Sequence, residues 1–126
     1  MPNKTILLAE DEESLSRMIS QVLTSQKYLV LRAKNGEEAL ALFEANQTNI
    51  DLLISDIEMP RMSGVELRNN VREQNPQLKI ILMSAFPPEP HLISLHLGSY
   101  DKFIPKPFDI FSFLSIIEAF ISLESV

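Results

Sequence analysis

The chain has 126 residues, 45% of them apolar and 22% charged, which is an ordinary globular composition and enough length for one domain with a real core. It carries no cysteine, so disulfides, thiolate nucleophiles and thiolate metal sites are excluded. The net charge of −6 comes without a basic cluster, which argues against a direct grip on nucleic acid.

The chain opens on Met1-Pro2-Asn3-Lys4 and enters its first apolar run, Thr5-Ile6-Leu7-Leu8-Ala9, with no signal segment before it. A cytoplasmic address is the expectation. That run reads as a buried strand, and Glu10-Asp11-Glu12-Glu13 follows it directly. Leu15, Met18, Ile19, Val22 and Leu23 then recur at helical spacing, with Glu12 and Glu13 as a solvated acidic start to that helix. Tyr28 to Ala33 reads as the second strand. Asn35 is the expected N-cap of a second helix, with Glu38 placed to reach back to it and Ala39, Leu40 and Phe43 as the buried stripe.

Leu52-Leu53-Ile54-Ser55 is a third apolar run, ending at Asp56 and followed by a turn marked by Pro60 and Gly64. Asp56 thus stands at the carboxyl end of a buried strand, where open α/β sheets place their chemistry. On this segment alone, an Asp capping the next turn fits as well. A third helix is expected from about Ser63 to Glu73, with Val65, Leu67 and Val71 partly buried and Pro76 preventing its continuation.

The fourth strand, Leu78 to Met83, ends at Ser84-Ala85. Phe86-Pro87-Pro88-Glu89-Pro90 comes next, and its prolines should delay and stiffen the start of a fourth helix. His91 and His96 are spaced poorly for a shared metal and read as surface or half-buried residues. Leu97-Gly98-Ser99-Tyr100-Asp101 leaves the end of that helix open. The fifth strand, Lys102 to Pro105, ends at Lys106-Pro107-Phe108. From Ile110 to Leu123 only Glu118 is charged, and the apolar residues spread over more than one face. Such a helix is usually covered on several sides, so a partner surface is favoured over a generous core helix. It is too short to span a membrane. No repeat or linker appears, and residues 1–126 are expected to form a single domain.

Strands alternating with helices imply a parallel sheet covered on both faces, a doubly wound α/β sandwich. The strands end in acids (Glu10 with Asp11, and Asp56), a hydroxyl (Ser84) and an ammonium (Lys106). In neighbouring parallel strands these groups converge on one edge.

The motifs Leu8-Ala9-Glu10-Asp11-Glu12, Ile54-Ser55-Asp56 through Met59-Pro60, Met62-Ser63-Gly64, Met83-Ser84-Ala85 and Lys106-Pro107-Phe108 resemble, in order and spacing, those of the receiver domain of two-component response regulators. The resemblance covers essentially the whole chain. It implies the flavodoxin-like (βα)5 fold with strand order 2-1-3-4-5, which brings Glu10, Asp11 and Asp56 to one crevice. Three clustered carboxylates repel one another unless a cation relieves them, and hard oxygen ligands with room for water suit Mg²⁺. The resemblance assigns Glu10, Asp11, Asp56 and the backbone carbonyl of Glu58 to the metal. Glu10 stands where many receivers have Asp.

By the same resemblance, Asp56 is the phosphoacceptor, Lys106 and Ser84 contact the phosphoryl oxygens, and the Lys106–Pro107 peptide bond is cis. Ser84 and Phe103 would be the switch pair, altering the face made by the fourth helix, the fifth strand and the last helix. The implied partners are a sensor histidine kinase or histidine phosphotransfer protein, with a homodimer or an output domain engaging that face. Neither nucleic acid nor membrane is an expected direct partner. Such a protein is a switch, an enzyme only toward its own aspartyl phosphate. Phe86, two positions after Ser84, would shield that phosphate from water.

Other classes fit less well. A degenerate receiver acting as a phosphorylation-independent docking module is opposed by the intact Asp11, Asp56, Ser84 and Lys106. A haloacid-dehalogenase-type phosphatase would carry its acid pair after the first strand. A flavodoxin-like electron carrier would need a Gly- or Thr-rich phosphate loop there.

Overall fold

The computed structural model describes residues 3–86 and 98–123. The five strands are β1 (Thr5–Ala9), β2 (Leu29–Ala33), β3 (Leu52–Asp56), β4 (Lys79–Ser84) and β5 (Asp101–Pro105). The helices among the described residues are α1 (Glu13–Ser25), α2 (Gly36–Ala45), α3 (Gly64–Gln74) and, last in the chain, α4 (Ile110–Ser122). All strand pairings are parallel, in the order β2-β1-β3-β4-β5. The expected fourth helix between β4 and β5 falls outside the described residues, as do Pro87, Pro88, Pro90, His91 and His96.

The continuous apolar character of β1, β3 and β4 follows from two covered faces. Alternate side chains point to opposite sides of the sheet. Ile6, Leu8, Leu52, Ile54, Ile81 and Met83 pack with Ile19 and Leu23 of α1 and with Phe113, Ile117, Phe120 and Ile121 of α4. Leu7, Ala9, Leu53, Ile80 and Leu82 face the other way, onto Ala39 and Phe43 of α2 and Leu67 and Val71 of α3. Phe43 and Phe113 are the largest fully buried side chains, one on each side. Truncating either to Ala would cost about 3–5 kcal/mol.

The helix starts are written locally. The Asn35 side chain accepts from the Glu38 N–H at 2.8 Å. The Glu38 carboxylate does not return to Asn35, as the motif suggested; it takes the Lys34 N–H at 3.3 Å. Ser63 and Glu66 form a reciprocal capping box at the start of α3. Asp109 accepts from the Ser112 N–H at 3.0 Å and opens α4. At the end of α1, the Tyr28 N–H bonds back to the Leu23 carbonyl at 3.2 Å and the Lys27 N–H to Thr24 at 3.0 Å. Lys27 takes the left-handed conformation of a helix stop, with φ 75°.

Two further expectations need correction. Tyr28 precedes β2 instead of starting it, because its N–H closes the α1 stop. Met18, placed on the buried stripe of α1, is 41% exposed, while Ser16 takes a buried position and accepts from Arg32 Nε at 3.0 Å. In α4 the core absorbs most of the apolar excess: Phe113, Ile117, Phe120 and Ile121 are buried, and Ile110, Leu114 and Ile116 pack partly against them. Phe111, 75% exposed, is the large apolar side chain that α4 leaves to solvent.

A candidate phosphorylation site at the strand ends

The sheet order brings the carboxyl ends of β1, β3, β4 and β5 to one edge. Their register is held by bonds that continue past the strands. Ile57 N–H donates to the Met83 carbonyl at 2.9 Å, Lys106 N–H to the Ser84 carbonyl at 2.8 Å, and Glu10 N–H to the Ala33 carbonyl at 3.1 Å. These bonds leave Glu10, Asp56, Ser84 and Lys106 on one rim. The Lys106–Pro107 bond is cis, as the resemblance implies.

The small residues of the Met62-Ser63-Gly64 motif have a steric reason. A Cβ on Gly64 would lie 2.1 Å from the Asp56 carbonyl oxygen and 2.9 Å from the Ile57 Cα. The Gly64 N–H also donates to the Ile57 carbonyl at 2.9 Å. The turn after β3 is thus closed directly onto the backbone that carries Asp56.

One carboxylate oxygen from each of Glu10, Asp11 and Asp56 lies within 4.8 Å of the others. Glu10 and Asp56 are buried, at 2% and 5% exposure, and Asp11 is exposed. Lys106 Nζ sits between the two buried acids, 2.9 Å from Glu10 Oε1 and 3.2 Å from Asp56 Oδ1. The other Glu10 oxygen accepts from the Glu12 N–H at 3.1 Å. Asp56 Oδ1 has the ion pair but no well-directed hydrogen bond; among the described residues it is the one buried side-chain polar atom so placed.

Electrostatics follows from this crowding. Burial raises the Asp56 carboxyl above its ordinary range, Lys106 opposes the rise, and the charges of Glu58 and Asp11 add to it. Glu10 is also raised, chiefly by burial, with Lys106 and the Glu12 N–H opposing and Asp56 reinforcing the rise. For Lys106, burial alone would lower the ammonium, but Glu10 and Asp56 outweigh it and hold the pKa above the usual lysine value. The site concentrates negative charge that one lysine compensates incompletely. Three carboxylates, a buried oxygen without a directed donor, and water access through exposed Asp11 fit a small, hard divalent cation.

Ser84, at the end of β4, is 2% exposed. Its hydroxyl lies 2.9 Å from both carboxylate oxygens of Glu58, to which it donates, and its oxygen accepts from the Phe86 N–H at 3.1 Å. Phe103 is half-buried on β5 and packs against the α2–α3 side of the core. The sheet thus brings Glu10, Asp11, Asp56, Ser84 and Lys106 together, while Phe103 stands in the neighbouring strand below the rim.

Sequence reading missed three features here. For a receiver it used Glu58 only for its backbone carbonyl, although the side chain reaches Ser84. It passed over Ser55, whose buried hydroxyl donates to the Asp56 carbonyl at 2.8 Å; a lone hydroxyl inside an apolar strand was the available signal. It also gave no role to Asp101, which receives Arg68 Nη2 at 2.6 Å and Arg72 Nη2 at 2.7 Å and ties the start of edge strand β5 to α3.

Known proteins agree with this geometry. The model of the response regulator receiver domain family matches residues 6–118. The transcriptional regulatory protein CpxR of Klebsiella pneumoniae is 33% identical over 82% of this chain and 43% of its own length. The alkaline phosphatase synthesis transcriptional regulatory protein PhoP of Bacillus subtilis is 34% identical over 84% of this chain and 43% of its own length. This chain therefore spans less than half the length of either relative. Among solved structures, the non-phosphorylated HemR receiver domain of Leptospira biflexa superposes with a TM-score of 0.87 at 32% identity, over 98% of both chains. The response regulator TrrA of Thermotoga maritima, solved with Mg²⁺ and beryllofluoride, gives a TM-score of 0.80 at 33% identity, over 93% of this chain and 98% of that one. No helix among the described residues is long and apolar enough to cross a membrane. With its parallel 2-1-3-4-5 sheet and its acidic rim, the chain belongs to the response regulator receiver domain family of two-component signal transduction.

Proposed function

We propose that Asp56 accepts a phosphoryl group from a phosphohistidine on a sensor kinase or phosphotransfer protein, and that the acyl phosphate changes what the surface beside β5 can bind. The observation that carries this reading is Lys106 Nζ bridging Glu10 and Asp56 beside a buried, incompletely satisfied Asp56 oxygen. A carboxylate oxygen of Asp56 attacks phosphorus. The O–P bond forms as the P–N bond to the imidazole breaks, and the imidazole leaves with the electron pair and takes a proton from water. Lys106 places its ammonium against the incoming phosphoryl oxygens, and Ser84 supplies a hydroxyl donor to another. Glu10, Asp11, Asp56 and the Glu58 backbone carbonyl would hold Mg²⁺, which when bound neutralises charge on the transferring oxygens.

The output follows from contacts made only in the phosphorylated state. Ser84 turning toward the phosphoryl group vacates space beside β5, and Phe103, which lacks a hydroxyl, responds by packing alone. The surface so altered serves a second copy or an output domain; on α4 it includes exposed Phe111. As a receiver the domain catalyses only its own phosphorylation and dephosphorylation, in the cytoplasm where its donors reside.

Incubation with Mg²⁺ and acetyl phosphate, read by intact mass, tests the proposal. The expected result is one Mg²⁺-dependent phosphoryl addition in the wild type and none in Asp56→Asn. A folded wild type that takes no phosphoryl group from acetyl phosphate or from a phosphohistidine donor would leave only the docking module.

A further inference from the structure

Serine has a single O–H and can donate to one acceptor at a time. In this structure that proton is committed to the Glu58 carboxylate, both of whose oxygens lie 2.9 Å from Ser84 Oγ. The hydroxyl oxygen is also occupied, accepting the Phe86 N–H at 3.1 Å. The backbone holds this arrangement in place. Asp56 pairs with Met83 in the sheet, and the Ile57 N–H bonds to the Met83 carbonyl at 2.9 Å. Glu58 therefore leaves β3 directly beside the end of β4. Its side chain is exposed and owes its position to Ser84, with no ion pair to any lysine or arginine among the described residues.

We propose that the Glu58 side chain is a latch that holds Ser84 in its resting position, and that releasing it is a required step of activation. The proposal rests on the reading of Asp56 as phosphoacceptor. A phosphoryl group on Asp56 brings about −1.5 to −2 charge next to the Glu58 carboxylate, together with strong new acceptors for the Ser84 proton. Repulsion pushes Glu58 away while the same group attracts Ser84, so one event breaks the latch and makes the replacement bond. The Phe86 N–H follows the Ser84 oxygen, which couples the loop after β4 to the exchange. Glu58 is thus a positioning residue acting through Ser84, and its side chain sets the balance between resting and active arrangements.

Beryllofluoride with Mg²⁺, a non-covalent stand-in for the phosphoryl group, tests this in the full chain. Its binding would be measured by calorimetry for wild type, Glu58→Ala, Glu58→Gln, Ser84→Ala and the Glu58→Ala/Ser84→Ala double variant. These substitutions leave the Glu58 backbone carbonyl in place, and Glu58→Ala truncates an exposed side chain, so folding is preserved; thermal melts verify it. Glu58→Ala is expected to tighten binding about tenfold, the scale of one hydrogen bond to a charged acceptor. Glu58→Gln, which keeps an acceptor but loses the charge, should fall between it and wild type. In the Ser84→Ala background, Glu58→Ala should have little effect. The Phe86 amide resonance of the ligand-free protein should also move in Glu58→Ala, a readout independent of loading. Equal tightening in both Ser84 backgrounds would overturn the latch while leaving Asp56 as acceptor, since the effect would then be charge alone. No beryllofluoride binding by wild type would overturn the phosphoacceptor reading and the latch with it.

Discussion

Replacing Gly64 with Ala probes the joint between the motif after β3 and the site. The new Cβ would stand 2.1 Å from the Asp56 carbonyl oxygen and 2.9 Å from both the Asp56 carbonyl carbon and the Ile57 Cα. Ordinary non-bonded contact lies near ~3.5 Å, so the overlap exceeds about 1 Å and is with backbone on every side. That backbone has little freedom to yield. The Asp56 carbonyl accepts from Ser55 Oγ at 2.8 Å, and Ile57 is bonded through its N–H to Met83 and through its carbonyl to Gly64, both at 2.9 Å. Overpacking of this kind costs about 1–3 kcal/mol. The lower chain entropy of the unfolded alanine variant returns about 0.4–1 kcal/mol. The expected net loss is about 1–2 kcal/mol, a fall in Tm of roughly 4–8 °C for a domain of this size. Urea and thermal melts measure the stability, and acetyl phosphate labelling read by mass measures the site. Because the strain acts on the Asp56–Ile57 peptide, labelling should slow even at temperatures where the variant is folded. Ser63→Ala serves as the control: it removes the α3 cap at about 1 kcal/mol and leaves the Asp56 backbone alone, so labelling should persist. A Gly64→Ala variant that melts within a degree of wild type and labels at the wild-type rate would refute the close-approach argument.

Asp101→Asn removes the negative charge and one of the two oxygens that accept from Arg68 and Arg72, and should destabilise the domain by about 3 kcal/mol in urea melts, since two largely buried guanidiniums lose their carboxylate counter-charge. Burial works to raise the Asp101 carboxyl, but Arg68, Arg72 and the Gly98 N–H outweigh it and hold the pKa below the ordinary value. A depressed folded pKa means that this stabilisation is present above the ordinary carboxylate range and is lost as pH falls through the folded value. The wild type should therefore lose this part of its stability in acid, and the gap to Asp101→Asn should close there. Lys27→Gly should raise stability by about 0.5–1 kcal/mol, because the φ of 75° at the α1 stop suits glycine better than lysine; an unchanged or lower melting point would count against the strain. Phe86→Glu should shorten the lifetime of the acyl phosphate if exposed Phe86 shields it from water, and a decay rate equal to wild type by mass spectrometry would remove that role.

Much of this protein was legible one segment at a time. The apolar runs at β1, β3 and β4 announce strands buried on both faces, and the acids, hydroxyl and ammonium that end them are local facts of the chain. So is the Asn35 cap, which needs only a side chain and an N–H three residues on; Ser63, expected as the first helical residue, caps α3 in the same way. What the strand ends do together depends on contacts between distant segments. Lys106 reaches Glu10 across 96 positions of sequence, and Asp101 meets Arg68 across 33. Such pairs exist only after the sheet sets β1, β3, β4 and β5 side by side. The apolar character of α4 was readable, but which side chains it buries was not, because the helix pattern is apolar nearly all round and only the face of the sheet selects Phe113, Ile117, Phe120 and Ile121 while leaving Phe111 outside. Glu58 shows the same division. Its sequence position two residues past Asp56 marks the turn, but its bond to Ser84 is a consequence of the β3–β4 register, since strand pairing alone brings the end of one strand within reach of the next.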